Sequence, residues 1–264
     1  MQPGLNRQIW KGRLDQKKLS INSLLEVLLI ESNDGVAIAA KLLEFPVLCC
    51  VNVSGTKTMV QSPPKLITVD EFITNYGDSD CYELIDGELT EMEPTGPHEQ
   101  VSGFLGRKVN VEIDRLDLPY FIPPRCLIKL LGTATAFRPD VLVLDETRLI
   151  NEPLWQQEPV ITSGYSIKLI AEVVSTNWQN DYARKVEDYA LLGVPEYWIV
   201  DYLGIGGREY IGKPKQPTLT ICTLREDEYQ KQLFQNGDRL ISSMFPELQL
   251  TAQQIFAAGR YAAM

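Results

Sequence analysis

Arg138-Pro139-Asp140-Val141-Leu142-Val143-Leu144 is the stretch on which the fold reading turns. Its apolar run predicts a buried strand, and a proline tolerated at a strand start places Asp140 at the strand mouth. Leu169-Ile170-Ala171-Glu172-Val173-Val174 is a second apolar run, with one charged residue in it. A carboxylate there is costly unless it is paired or bound to a metal. The look is that of a central strand. Thirteen residues after Glu172, Lys185 lies in a stretch from Tyr182 to Leu192 that reads as a helix, with Asp181 placed to cap its start. A strand-turn-helix path can fold that helix start back beside the strand ends.

Two carboxylates about 5 Å apart repel by roughly 3 kcal/mol at an effective dielectric near 20. A divalent cation turns that penalty into an attraction, and oxygen ligation with open positions is the habit of Mg²⁺ or Mn²⁺. Asp140 and Glu172 are therefore candidate metal ligands. Lys185 is the cation that could orient an attacking water or stabilise charge developing on a phosphate. Each has a plainer reading when taken alone: a strand-end turn residue for Asp140, a solvated helix lysine for Lys185. Together they suit hydrolysis of a phosphodiester. Glu83, in Tyr82-Glu83-Leu84-Ile85-Asp86-Gly87-Glu88, is either an exposed hairpin position or a third carboxylate for the same metal. His98, the single histidine, sits in Gly96-Pro97-His98 at a helix start, as a capping residue or an accessory acid/base.

Outward from these segments the pattern is mixed. Thr68-Val69-Asp70-Glu71 reads as a capping box opening a helix that runs to about Tyr76. Asp86-Gly87 between alternating residues predicts a hairpin. Val101, Leu105, Val109 and Ile113 recur every four residues, as an amphipathic helix over 98–116 requires. Further strands are expected at Tyr120–Ile122, Cys126–Leu131, Pro139–Leu144, Ile167–Val174 and Glu196–Asp201. The tail from Glu209 to Leu250 reads as two antiparallel pairs, and Thr251 caps a short last helix. The fold class is α/β: a central mixed β-sheet flanked by helices, with additional antiparallel strands toward the C-terminus.

The chain has 264 residues and a formal net charge of -10, a poor starting point for broad, non-specific nucleic-acid binding. Five cysteines without a CxxC pair, and one histidine, exclude the usual cysteine–histidine zinc sites and fit a cytoplasmic protein with reduced thiols. No signal peptide or membrane span is legible, since charged residues interrupt every apolar stretch between Leu19 and Val53. Residues 1–58 read differently from the rest, with seven basic against five acidic side chains and no settled period. Leu24 to Ile30 suits a short helix or strand. This segment is either a small accessory domain or sequence upstream of a natural start at Met59. The second reading is favoured, which leaves 59–264 as the domain.

The residues carry a family resemblance. Val69-Asp70-Glu71-Phe72, Tyr82 to Glu88 and Gly96-Pro97-His98 resemble the opening of the Uma-two family of restriction-endonuclease-like proteins. Arg138-Pro139-Asp140-Val141, Ala171-Glu172-Val173-Val174-Ser175, Lys185 with Tyr189, and Gly193-Val194-Pro195-Glu196-Tyr197-Trp198-Ile199-Val200-Asp201 continue the likeness over about residues 60–260. The resemblance implies a restriction endonuclease-like core of the PD-(D/E)XK superfamily. Asp140 would fill its aspartate position, Glu172 its acidic position, and Glu83 an acidic position from the N-terminal part. Val174 stands where the superfamily's usual lysine is found, and Lys185 on the next helix matches the family's displaced lysine. The implied activity is Mg²⁺-dependent (or Mn²⁺-dependent) cleavage of DNA, leaving 5′-phosphate and 3′-hydroxyl ends. Cutting both strands of a duplex would suit a homodimer. The competing expectation is a catalytically inactive binding or interaction protein on the same fold, favoured by the acidic charge and the lack of a basic reading element.

Overall fold

The computed structural model describes residues 65–260 in full. Before them it describes the strands β1 (Ile9–Trp10), β2 (Leu25–Ser32), β3 (Gly35–Leu42) and β4 (Leu48–Val51). The chain divides into two units, Met1–Pro64 and Lys65–Met264. In the first, β1 to β4 pair antiparallel in chain order. The stretch from Leu24 is thus mostly strand β2. The remainder of residues 1–58, and with it the expectation of a start at Met59, lies outside the described residues.

The second unit opens on the capping box read from sequence. Thr68 Oγ1 accepts from Glu71 N at 3.2 Å and Glu71 Oε2 accepts from Thr68 N at 2.8 Å. Such a cap contributes about 1 kcal/mol to helix α1 (Val69–Tyr76). β5 (Tyr82–Ile85) and β6 (Glu88–Glu91) form the hairpin, and Asp86 and Gly87 take φ of 51° and 85°, both left-handed as the tight turn demands. Then follow α2 (Gly96–Arg115), β7 (Tyr120–Phe121), β8 (Leu127–Lys129), β9 (Ala136–Phe137), β10 (Val141–Asp145), β11 (Val160–Ile161) and β12 (Ile167–Val173). The chain continues through α3 (Lys185–Leu192), β13 (Glu196–Asp201), α4 (Arg208–Ile211), β14 (Thr218–Arg225), β15 (Glu228–Gln235) and α5 (Ala252–Ala258).

One sheet runs in the order β15-β14-β13-β12-β10-β7 and the other β11-β8-β9-β5-β6. Both are mixed. In the first, the parallel pair β12 and β13 is joined through α3, because parallel neighbours need a crossover. Two mixed sheets flanked by helices make the α/β architecture expected from the sequence. No helix among the described residues is long and apolar enough to cross a membrane.

Strand alternation separates the two faces of the six-stranded sheet. Val141, Val143, Leu169, Ala171, Val173, Trp198 and Val200 point to one core, where Val101, Leu105 and Val109 of α2 and Ile255 of α5 meet them. Leu142, Leu144, Ile170, Val174, Tyr197 and Ile199 point to the other, with Tyr189 of α3 and Ile128 and Phe137 of the second sheet. By this alternation Glu172 belongs to the second face, between Ile170 and Val174. Val174, where the resemblance would place a lysine, is buried core.

Two expectations need correction. The tail holds one antiparallel pair, β14 with β15, rather than two. Beyond Asn236-Gly237-Asp238 it forms only the isolated bridge Arg239–Thr251. Glu196, whose carboxylate accepts from Ser242, Ser243 and Met244, ties that irregular segment to the sheet, so it needs no ladder of its own. Asp181 is not a cap: it lies inside a π-helical turn, Asn180–Arg184, that leads into α3. β9 and β11 are two residues each, too short for periodicity to reveal.

Candidate active site

Lys185, the first residue of α3, has its ammonium buried among three carboxylates. Its Nζ lies 3.1 Å from Glu172 Oε1, 3.2 Å from Glu83 Oε1 and 3.6 Å from Asp181 Oδ1. Phe137 supports it from one side, with the ring centroid 5.4 Å from Nζ. All four charged residues are nearly inaccessible, at 3% to 7% exposure. The local backbone explains the meeting. Glu83 comes from the five-stranded sheet, Glu172 from the central strand of the other, and the π turn puts Asp181 and Lys185 four residues apart on one side.

Second contacts fix Glu83, Glu172 and the nearby Asp140. Glu83 Oε1 accepts from Arg138 N at 2.9 Å, Glu172 Oε1 accepts from Tyr189 Oη at 2.8 Å, and Asp140 Oδ2 accepts from Val173 N at 2.7 Å. Asp140 and Glu172 sit at the same ends of neighbouring strands, since Val141 pairs with Ala171. His98 joins them from α2. Its Nε2 lies 2.9 Å from the Val173 carbonyl and 3.4 Å from Asp140 Oδ2, while its buried Nδ1 has no hydrogen-bond partner. Asp140, Glu172, Lys185, Glu83 and His98 therefore all line one cleft of about 780 Å³.

The electrostatics follow from burial and crowding. Burial, then the neighbouring Asp140, Glu83 and Asp181, push the Glu172 carboxyl well above the carboxylate range, against the pull of Lys185. Asp181 is pushed to about 6, again by burial first and against the pull of Lys185. Burial opposes the charge on Lys185, but Glu172, Glu83 and Asp181 outweigh it and hold the ammonium well above its ordinary value. Burial likewise lowers His98, and the Asp140 carboxylate, with the Val173 carbonyl and Glu99, more than reverses it, so the ring is raised.

Among the described residues, no three His, Cys, Asp or Glu side chains form a ready-made metal cluster. Lys185 already provides the positive charge between Glu83 and Glu172. The donor set still fits a hard divalent cation. It offers carboxylate oxygens beside the Val173 carbonyl, and four crowded acids exceed what one ammonium balances.

Three participants escaped sequence reasoning: Asp181 as a partner of Lys185, Tyr189 as the hydroxyl behind Glu172, and Arg138 as the amide holding Glu83. The repeated spacing of four in Asp181, Lys185 and Tyr189 was the available signal.

A sequence model of the Uma2 family, described as "Putative restriction endonuclease", matches residues 69–253. The chain belongs to the Uma2 family. A solved structure described as a putative nuclease belonging to DUF820, from Anabaena variabilis, is similar in fold at TM-score 0.55 and 16% identity, covering 74% of this chain and 99% of that one. No curated protein matches. The Uma2 match spans every residue that lines the candidate site, from Asp80 to Lys185.

Proposed function

We propose that this Uma2 protein is a metal-dependent endonuclease that hydrolyses DNA phosphodiester bonds. The observation that carries the reading is Lys185, a buried ammonium held within 3.6 Å of three carboxylates at the floor of a cleft. Asp140 and Glu172, helped by Glu83, would hold Mg²⁺ or Mn²⁺. When bound, such an ion polarises the phosphoryl oxygen and lowers the pKa of a coordinated water. Lys185 donates to the attacking water and to the phosphoryl oxygen on which charge grows, and Asp181 keeps it in place as the other acids turn to the metal. Tyr189 holds one oxygen of Glu172, so the carboxylate needs little reorientation. Water adds its oxygen to phosphorus and gives up a proton to solvent, the bond to the 3′ oxygen breaks and that oxygen takes a proton from solvent, leaving a 5′-phosphate and a 3′-hydroxyl. Cutting both strands suits a homodimer, and reduced thiols at Cys81, Cys126 and Cys222 suit the cytoplasm.

A second reading, a non-catalytic interaction protein, draws support from the lack of a ready-made metal cluster among the described residues and from the acidic lining. Plasmid cleavage with Mg²⁺ or Mn²⁺ separates the two, comparing the protein with Asp140→Ala and Lys185→Ala. Metal-dependent nicking lost in both variants is the expected result. Metal binding without nicking, or nicking that survives both substitutions, refutes the proposal.

A further inference from the structure

A nuclease cleft has to hold phosphates beyond the one it cuts, and most charged side chains lining this cleft are acidic. Two arginines stand out on its wall, Arg125 and Arg138. The Arg138 side chain is 7% exposed and closes the end of α1, donating from NH2 to the carbonyls of Tyr76 at 3.2 Å and Gly77 at 2.7 Å. Its Nε is buried without a hydrogen-bond partner, and its NH1 faces the exposed carboxylate of Asp80 at 3.7 Å, too long for a hydrogen bond. Arg125 is exposed and spends NH1 on the Asp78 carbonyl at 3.1 Å; its other donors have no hydrogen bond among the described residues. Burial lowers the Arg138 pKa, and the charge of Arg125 lowers it further against the opposing pull of Asp80, so the two guanidinium groups feel each other.

Two guanidinium groups lining one cleft, with Arg125 donors left over and Asp80 loosely held as counter-ion, make a place for an anion. The guanidinium fork matches the oxygens of a phosphate. Arg138 also lies two residues before Asp140 on the same chain, which puts this wall beside the metal-binding acids. We propose that Arg125 and Arg138 form a phosphate subsite, taking a nucleic-acid phosphate that flanks the scissile one. Asp80 occupies it in the unliganded protein and gives way to the substrate. The subsite rests on the nuclease reading above to the extent that its phosphate belongs to DNA; it does not rest on the chain cutting that DNA.

The test is fluorescence anisotropy of a short labelled DNA duplex against the full chain, with Ca²⁺ present, Mg²⁺ withheld and salt varied. Arg125→Gln is the main variant, because Arg138 also caps α1 and its replacement risks the fold. The expected result is binding about tenfold weaker, the loss of one charge-assisted contact, with a salt slope reduced by about one. Asp80→Asn should bind more tightly than the unsubstituted protein. Arg125→Gln binding like the parent, weakened binding with an unchanged salt slope, or no binding by the parent itself overturns the subsite. Cleavage assays separate this from the nuclease proposal. A chain that binds through Arg125 and never cuts keeps the subsite and loses the nuclease; cutting with equal KM in parent and Arg125→Gln does the reverse.

Discussion

Lys185→Met removes the one ammonium that touches Glu83, Glu172 and Asp181 while keeping most of the side-chain volume. At an effective dielectric near 20, each contact at 3.1 to 3.6 Å is worth about 5 kcal/mol before desolvation and mutual repulsion of the acids are set against it. Breaking a buried pair by deleting one partner costs about 3–5 kcal/mol net, and that is the loss expected at pH 8. The pH dependence has a definite sign. Burial already holds Glu172 well above the carboxylate range, and Lys185 is what pulls it down, so the variant raises it further. An acid raised in the fold costs stability once pH exceeds its unfolded value, about 4.3, and the cost grows until its folded value is passed. The deficit is therefore small near pH 4.5 and largest toward pH 8. Lys185 itself adds no slope there. Its raised folded value gives stability that is fully present below its unfolded value of 10.5 and fades only as pH rises through the folded one. Urea unfolding at pH 5, 6.5 and 8, with and without Mg²⁺, measures all of this. Mg²⁺ should restore more stability to Lys185→Met than to the parent, because a cation then replaces the missing charge. A deficit under about 1 kcal/mol, flat with pH, would refute the idea that the ammonium balances these acids.

Other expectations follow from individual contacts. The single His98 ring should titrate above 6.5 by NMR and fall in Asp140→Asn, because the Asp140 carboxylate reverses the effect of burial. Its stabilising share is present below pH 6.5 and lost as pH rises through the folded value, so the reverse slope would contradict that geometry. Glu196→Ala strips the acceptor from Trp198 Nε1, Ser242 Oγ and the Ser243 and Met244 amides, and should cost about 3 kcal/mol or more with a shift in tryptophan emission. Arg184→Ala breaks a fork on Asp86 and a contact to Asp188, but Arg184 is one-third exposed, so denaturation should register only about 1 kcal/mol.

Much of the fold was legible because its signals are local. The Thr68–Glu71 cap, the Asp86-Gly87 turn and the fourfold spacing from Val101 to Ile113 each act within a few residues. The strands around Asp140 and Glu172 announced themselves by apolar runs too long for loops. Those same strands pointed to Asp140 and Glu172 as suspects, since an acid in such a run needs a reason. What stayed hidden was set by distant partners. The Glu196 carboxylate holds the segment from Ser242 to Met244 in an irregular path, although its alternation reads as strand. Asp181 has the residue type and position of a cap, and only the wide turn that turns it toward Lys185 distinguishes it. Arg138 acts on Glu83 through its backbone amide, which carries no residue signature at all.

The turn from Asn180 to Arg184 has a consequence for how such a site can change over time. A π turn accommodates one residue more than an α turn, and inside an α-helix it behaves like an insertion that the helix has absorbed. Deleting a single residue between Asp181 and Lys185 would restore regular winding and leave them three apart instead of four, a spacing that still shares one helix face. The strands, the acids they carry and the cores on both faces would be untouched. The turn that carries Asp181 can therefore gain or lose one residue and still present an acid to Lys185, so the pair tolerates a length change in the one segment where the helix is irregular.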